Sequence, residues 1–320
     1  MEEFNFSKYA KASYLELDDY KAPEGIKSYF VPMDDGIKIR ICHWINKSKE
    51  SKGTILLQQG HNEFIEKYYE TIKDFLDLGL NVICFDWRGQ GMSDKILKDK
   101  SKQHINDFKI HDDDLTFIIE NILSKYFPKP YIAIGHSMGG CILLSNLNKY
   151  HNVFSKMILS APMLGFKFEF FLNFLVRLSQ IFLKDDDYFL GSKPNYGKET
   201  LFDDNELTND RDRYNRTLKL VRKKPEIRLW GVTTLWAMAV IKRLELIRKT
   251  DWSKIKTNLL FINCLDDKVV SQKSIVETSK LFKNSKLIQF KECKHEVFME
   301  KDKTRLLLWR EINTFLDDII

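Results

Sequence analysis

Short apolar runs alternate with longer amphipathic stretches along most of the chain, and the alternation has a clear start, break and resumption. Residues 26–32 and 37–44 predict two strands joined through Asp34-Asp35-Gly36, a composition suited to a tight hairpin turn, so the sheet opens antiparallel. Apolar runs follow at 54–57, 81–85, 131–135 and 156–160, separated by stretches that predict helices from Glu63, His111 and Met138. Strands so continuously apolar are suited to burial on both faces, and the helical spacers suit the crossovers of a parallel sheet. The pattern stops at Ser160 and resumes with a strand at 258–263, a helix from Ser271, a strand at 287–290 and a terminal helix from Thr304.

Residues 161–250 between the two halves show no strand pattern and read as largely helical. The expected class is therefore α/β: a mostly parallel sheet with an antiparallel start, flanking helices and an inserted helical cap. The division is 1–160 for the first part of the core, 161–250 for the cap and 251–320 for the second part.

Composition narrows the function classes. With 43% hydrophobic and 30% charged residues the chain can bury a large core, and its net charge of +6 is spread among interspersed signs, so no nucleic-acid partner is expected. The five cysteines (Cys42, Cys84, Cys141, Cys264 and Cys293) are odd in number and far apart, which predicts neither a disulfide framework nor a zinc site. The start, MEEFNFSKY, lacks the pattern of a secretory signal, and no run of about 18 apolar residues predicts a membrane span. A cytoplasmic protein is expected, with peripheral contact at the inner face of the membrane compatible with this pattern.

The chemistry centres on Tyr131-Ile-Ala-Ile-Gly135-His136-Ser137-Met138-Gly139-Gly140-Cys141, a strand, a G-x-S-x-G turn and a helical run. Such a turn lifts the serine hydroxyl above the sheet, at a helix amino terminus where developing negative charge is favoured. A serine nucleophile on this fold needs an acid and a base downstream, in that order. His295 is the only histidine after His151, and Asp266 and Asp267 follow the strand at 258–263. Of the two, Asp267 is favoured, in Asp267-Lys-Val-Val; only one of the neighbours can point inward. Two N–H groups must hold the oxyanion, and they map to Met138 and His61. Other chemistries fit poorly: His295-Glu-Val-Phe-Met299 has no second histidine for a zinc helix, and Gly89-Gln-Gly91 lacks the third glycine of a dinucleotide loop. A carboxylate-nucleophile hydrolase is excluded by Ser137 at the turn.

From position 26 onward the chain resembles the α/β-hydrolases of the monoacylglycerol lipase and bacterial lysophospholipase group, sometimes filed with the S33 serine aminopeptidases. The resemblance rests on Gly60-His-Asn-Glu63, Phe85-Asp-Trp-Arg-Gly-Gln-Gly-Met-Ser-Asp94, His104-Ile-Asn-Asp107, Gly135-His-Ser-Met-Gly-Gly140, Leu159-Ser-Ala-Pro-Met163 and Lys294-His-Glu296. The cap stretch Pro225-Glu-Ile-Arg-Leu-Trp-Gly-Val-Thr-Thr-Leu-Trp236 is most like bacterial lysophospholipases. Two departures stand out: Gln59 where many relatives have histidine, and Asn263-Cys264 in place of the usual glycine near the acid.

The resemblance implies a serine hydrolase of lysophospholipid or monoacylglycerol esters that needs no metal or organic cofactor, with Arg88 and Asp94 bracing the loops behind the triad. The alternatives are a peptidase or small-ester hydrolase with the same triad, or a non-catalytic binding protein of this fold. In the cap, the polar residues of 168–184 fall on one narrow helical stripe, so the remaining apolar surface should bury two faces. Phe170, Phe171, Phe174 and Leu178, with Trp236, are the expected acyl-chain contacts. Residues 161–250 hold 17 Lys/Arg against 12 Asp/Glu, and the basic run from Arg211 to Arg228 is expected to meet lipid headgroups or to form a solvated face.

Overall fold

The computed structural model describes residues 8–46, 51–190, 192 and 200–320; part of the amino-terminal leader and part of the 161–250 segment lie outside them. β1 (Lys27–Pro32) and β2 (Lys38–Trp44) form the antiparallel start. They are followed by β3 (Thr54–Gln58), β4 (Asn81–Phe85), β5 (Tyr131–His136), β6 (Phe154–Ser160), β7 (Asn258–Cys264) and β8 (Ser285–Phe290). The spatial order is β1-β2-β4-β3-β5-β6-β7-β8. β2 pairs antiparallel with β4, and all pairings from β4 to β8 are parallel. A two-residue strand, Ala10–Lys11, extends the β1 edge; the polar leader offers no apolar period that would predict it.

Every residue of β3, β4 and β5 is buried, which is why these strands show no polar alternation. Helices α1 (Tyr69–Asp77), α2 (Lys109–Ile118) and α3 (Met138–Ser145) cover the sheet before the break. Between β6 and β7 the chain leaves the sheet to form α4 (Glu169–Phe182), α5 (Arg211–Lys223) and α6 (Thr234–Lys249). α7 (Gln272–Ser279) and α8 (Asp302–Leu316) complete the core. Asp210, Thr233 and Ser271 start α5, α6 and α7 by accepting a backbone N–H with their side chains, the ordinary relief for unpaired donors at a helix start. The excursion is not wholly helical: Gly231–Val232 pairs in parallel with Lys102–Gln103.

The order β4-β3-β5 means that the chain reverses its direction of travel across the sheet beside β3. In open α/β sheets the crevice at that reversal, beyond the carboxyl ends of the strands, is the favoured site for a ligand. β3 ends at Gln58 beside Gly135 of β5, which brings Gly60 and Ser137 to this crevice. The loops behind it are braced by charge. Arg88 donates to both carboxylate oxygens of Asp114, at 2.9 and 2.6 Å, and Asp94 accepts the Lys38 N–H at 2.9 Å. Deeper still, Arg40 is fully buried and donates to Glu66 at 2.6 and 2.8 Å and to Asp86 at 2.7 Å.

The cap docks through apolar residues such as Leu220, Ile227, Trp236 and Leu244, which join the main core, and through ion pairs. Arg213 of α5 reaches Glu70 of α1 at 2.9 Å and Asp302 of α8 at 2.7 Å, and Arg216 reaches Glu70 at 2.8 Å. Arg211 pairs with Asp203 and Lys219 with Asp19. Much of the basic run is thus neutralised by acidic residues of the protein itself, a large part of them on the core, instead of being left for headgroups.

Candidate active site

Ser137 sits in the turn between β5 and α3 with φ 49° and ψ −115°, a conformation that L residues rarely adopt and that a surrounding structure must enforce. Three backbone bonds enforce it: Ser137 N–H donates to Ser160 O at 3.0 Å, and Ser137 O accepts from Cys141 N and Met163 N, each at 3.0 Å. The glycine at 139 is required by proximity, since a Cβ there would lie 2.5 Å from the carbonyl oxygen of Gln59. Met138 is the first residue of α3, so its N–H is one of the donors that a helix start leaves without an intrahelical partner.

The loop after β3 runs alongside. A Cβ on Gly60 would stand 2.9 Å from Glu63 Oε2 and 3.0 Å from Ser137 Cβ, so any side chain here would press on Ser137 and its neighbours. Its N–H donates to Glu63 Oε2 at 2.5 Å. The His61 ring packs 4.9 Å from that of Trp236, and burial pushes its pKa down to about 4. Asn62, with φ 59°, donates to Leu229 O at 3.0 Å and accepts from Leu229 N at 2.7 Å, tying this loop to the cap.

Asp267 and His295 meet at 2.7 Å between Oδ2 and Nδ1, both buried. The other oxygen of Asp267 accepts from Val269 N at 2.7 Å and Val270 N at 3.1 Å, so the Val-Val pair after it closes a turn around the carboxylate. Asp266 is exposed, and its backbone N–H bonds to Cys293 O. The five cysteines are free thiols; Cys264 and Cys293 lie 3.3 Å apart between sulfur atoms beneath this pair of loops.

A buried charge network that sequence reasoning did not single out lies next to these groups. Lys67 Nζ bridges Glu63 at 2.7 Å and Glu296 at 2.5 Å, and Tyr68 donates to Glu63 at 2.8 Å. Burial opposes the charge on Glu63, but Lys67, His136 and these hydrogen bonds outweigh it and hold the carboxyl at about 2. Glu296 goes the other way, its pKa raised by burial. Among the described residues, Glu63, His136 and Glu296 are the one group with metal-ligand spacing, and the Lys67 ammonium already supplies a cation to its two carboxylates. The signal was present as the i, i+4 pair Glu63 and Lys67, together with a glutamate directly after His295.

Ser137, His295, Gly60 and His61 line one cavity of about 430 Å³, roofed by Tyr214, Leu218 and Val221 of α5 and by Arg228. Phe170, Phe171, Phe174 and Leu178 do not line it. α4 packs through Leu172 and Val176 against Ala237 and Ile241 of α6, which turns its phenylalanines to solvent: Phe170 is 91% exposed. Trp236 is buried behind His61 and does not line the cavity either.

Solved structures share this architecture. A soluble variant of monoglyceride lipase from Saccharomyces cerevisiae superposes with a TM-score of 0.73 at 19% identity, over 95% of this chain and 100% of that one. In sequence, a probable lysophospholipase L2 of Haemophilus influenzae is 29% identical over 283 residues, covering 88% of this chain and 89% of that protein. Lysophospholipase L2 of Escherichia coli is 27% identical over 308 residues, covering 90% and 86%. The family model described as serine aminopeptidase, S33, matches residues 49–302, so the chain, with its α/β-hydrolase fold, belongs to that family.

Proposed function

We propose that this protein is a serine carboxylester hydrolase that cleaves acyl esters of single-chain lipids, lysophospholipid or monoacylglycerol, through an acyl-enzyme. The observation that carries the reading is the buried hydrogen bond between Asp267 and His295, opening onto the same cavity as the strained Ser137. Ser137 attacks the ester carbonyl and His295 takes its proton, later giving it to the leaving alcohol. Asp267 accepts from Nδ1, leaving Nε2 as the base, and supports the imidazolium as it forms. The Met138 and His61 N–H groups hold the oxyanion, at a place where the protein need not reorganise as charge develops. Water then repeats the cycle and frees the acid.

The lipid part of the reading draws support from the lysophospholipase relatives and from the cavity wall, where Leu207, Leu218, Val221, Val269 and Met299 offer an apolar surface to an acyl chain. The α4 phenylalanines then serve a surface role. Phe168, Phe170, Phe171, Phe174, Ile181 and Phe182 are all more than half exposed, a patch suited to peripheral contact with a membrane; no helix among the described residues is long and apolar enough to cross one.

The test is fluorophosphonate labelling of the parent protein and of Ser137→Ala, followed by kcat/KM for single-chain esters of increasing length and for aminoacyl amides. Labelling lost in Ser137→Ala, with kcat/KM rising as methylenes are added, supports the reading. Labelling retained in Ser137→Ala overturns the nucleophile, and better turnover of amides than of any lipid ester makes the protein a peptidase.

A further inference from the structure

Among the described residues, three Lys and Arg side chains line the cavity above Ser137, and two of them are spoken for. Lys67 lies between Glu63 and Glu296, and Arg213 pairs with Glu70, Asp210 and Asp302. Arg228 is half-buried and has no carboxylate partner among the described residues; its guanidinium lies over the Trp230 ring, 4.6 Å from the centroid. The backbone around it is held on both sides. Ile227 is buried in a single 3-10 turn, and Leu229 makes the paired hydrogen bonds to Asn62, the residue after His61. A guanidinium stacked on an aromatic face keeps its planar fork directed while leaving its N–H groups free, the arrangement suited to a phosphate.

We infer that Arg228 is the residue that selects a phosphate-bearing substrate, binding the phosphodiester of a lysophospholipid; this rests on the lipid-ester reading above. The placement suits the chemistry. In such a lipid the phosphate stands one glycerol unit from the ester carbonyl, and Arg228 is one residue from the segment bonded to the loop beside that carbonyl. Because Glu63, Glu296, Asp204 and Glu206 also line the cavity, it is not a general attractor of anions, and recognition falls to the Arg228 fork itself. Exposed Asp204 and Glu206 suit the ammonium of a zwitterionic headgroup and disfavour a headgroup with excess negative charge.

The experiment measures kcat and KM for 1-acyl lysophosphatidylethanolamine and for 1-monoacylglycerol of the same chain, in the parent, Arg228→Gln and Arg228→Lys. Losing a charge-assisted bidentate contact should lower the ratio of the two kcat/KM values by about tenfold to a hundredfold in Arg228→Gln, mainly through KM. Arg228→Lys should recover part of that ratio. An unchanged ratio, or an equal loss on both substrates, overturns the assignment and leaves Arg228 a structural partner of Trp230. Failure of the parent on both lipids, despite labelling by fluorophosphonate, would instead defeat the lipid-ester reading on which it rests.

Discussion

Replacing Asp267 by asparagine tests the catalytic geometry with little change of shape. In the parent, Oδ1 is held by two backbone donors, Val269 N at 2.7 Å and Val270 N at 3.1 Å, and Oδ2 faces His295 Nδ1 at 2.7 Å. An amide has one oxygen and one NH2, and the two N–H groups claim the oxygen. The NH2 must then face Nδ1, which becomes an acceptor and drives the imidazole proton to Nε2, the atom that should receive the Ser137 proton. The hydrogen bonds are kept in number while the base is in the wrong tautomer and the imidazolium loses its counter-charge. Such a reversal costs about 10⁴-fold in turnover, or about 5.5 kcal/mol in the barrier. The assay is kcat/KM on a short p-nitrophenyl ester, alongside the thermal midpoint, which should move little. Asp266→Asn, at an exposed side chain, should stay within about twofold of the parent, as surface changes usually do. Retention of a tenth of the activity by Asp267→Asn, or an equal loss in Asp266→Asn, would refute the argument.

Two further outcomes follow from the buried charges. Lys67→Met leaves Glu63 and Glu296 facing each other without their shared cation, which should lower unfolding stability in urea by about 3–5 kcal/mol at neutral pH; because Glu296 already has a raised pKa, the deficit should shrink on acidification, and a variant as stable as the parent would contradict the role. Burial holds His43, His61 and His136 at about 4 and His111 at about 3, against 6.5 for each when unfolded. Between about pH 6.5 and 4 these four side chains therefore bind more protons in the unfolded chain than in the native one, and their contribution to stability should fall as pH falls through that window, while the raised Asp86 and Glu296 carboxyls act in the opposite sense; an NMR titration in which the four imidazoles protonate near 6.5 in the folded protein would show that they are not buried neutral.

What the sequence revealed and what it hid follow from the range of the interactions involved. The strands and the Ser137 turn were legible because burial on both faces and close approach of backbones leave local marks: unbroken apolar runs, and glycine where a Cβ would strike Gln59. The α4 helix shows the opposite case. Its period revealed one polar stripe, but which apolar flank is covered depends on Ala237 and Ile241, about 60 residues away along the chain. The basic run likewise gave no hint that Arg213 and Arg216 find Glu70, more than 140 positions earlier. Which of Asp266 and Asp267 meets His295 depends on the way the Val269 and Val270 amides curl back around Asp267, a loop geometry without a period.

The place where the cap leaves and rejoins the sheet has a consequence in polymer terms. Ser160 of β6 is paired with Ile262 of β7, and Ala161 N–H donates to Ile262 O at 2.9 Å, so the exit and return of the excursion are already joined by the sheet. For a flexible segment closed in this way, doubling its length costs only about 0.6 kcal/mol of closure entropy. Closure alone therefore sets little limit on the length of the cap; what ties the cap down is contact, polar as in Asn62 with Leu229 and Glu70 with Arg213, and apolar as in Trp236, Leu244 and Ile247 of α6 within the main core. A transplanted cap would exchange the substrate-facing wall and leave the setting of Ser137 intact only if it also kept Met163, whose N–H holds the Ser137 carbonyl, and the apolar face of α6 that enters the main core.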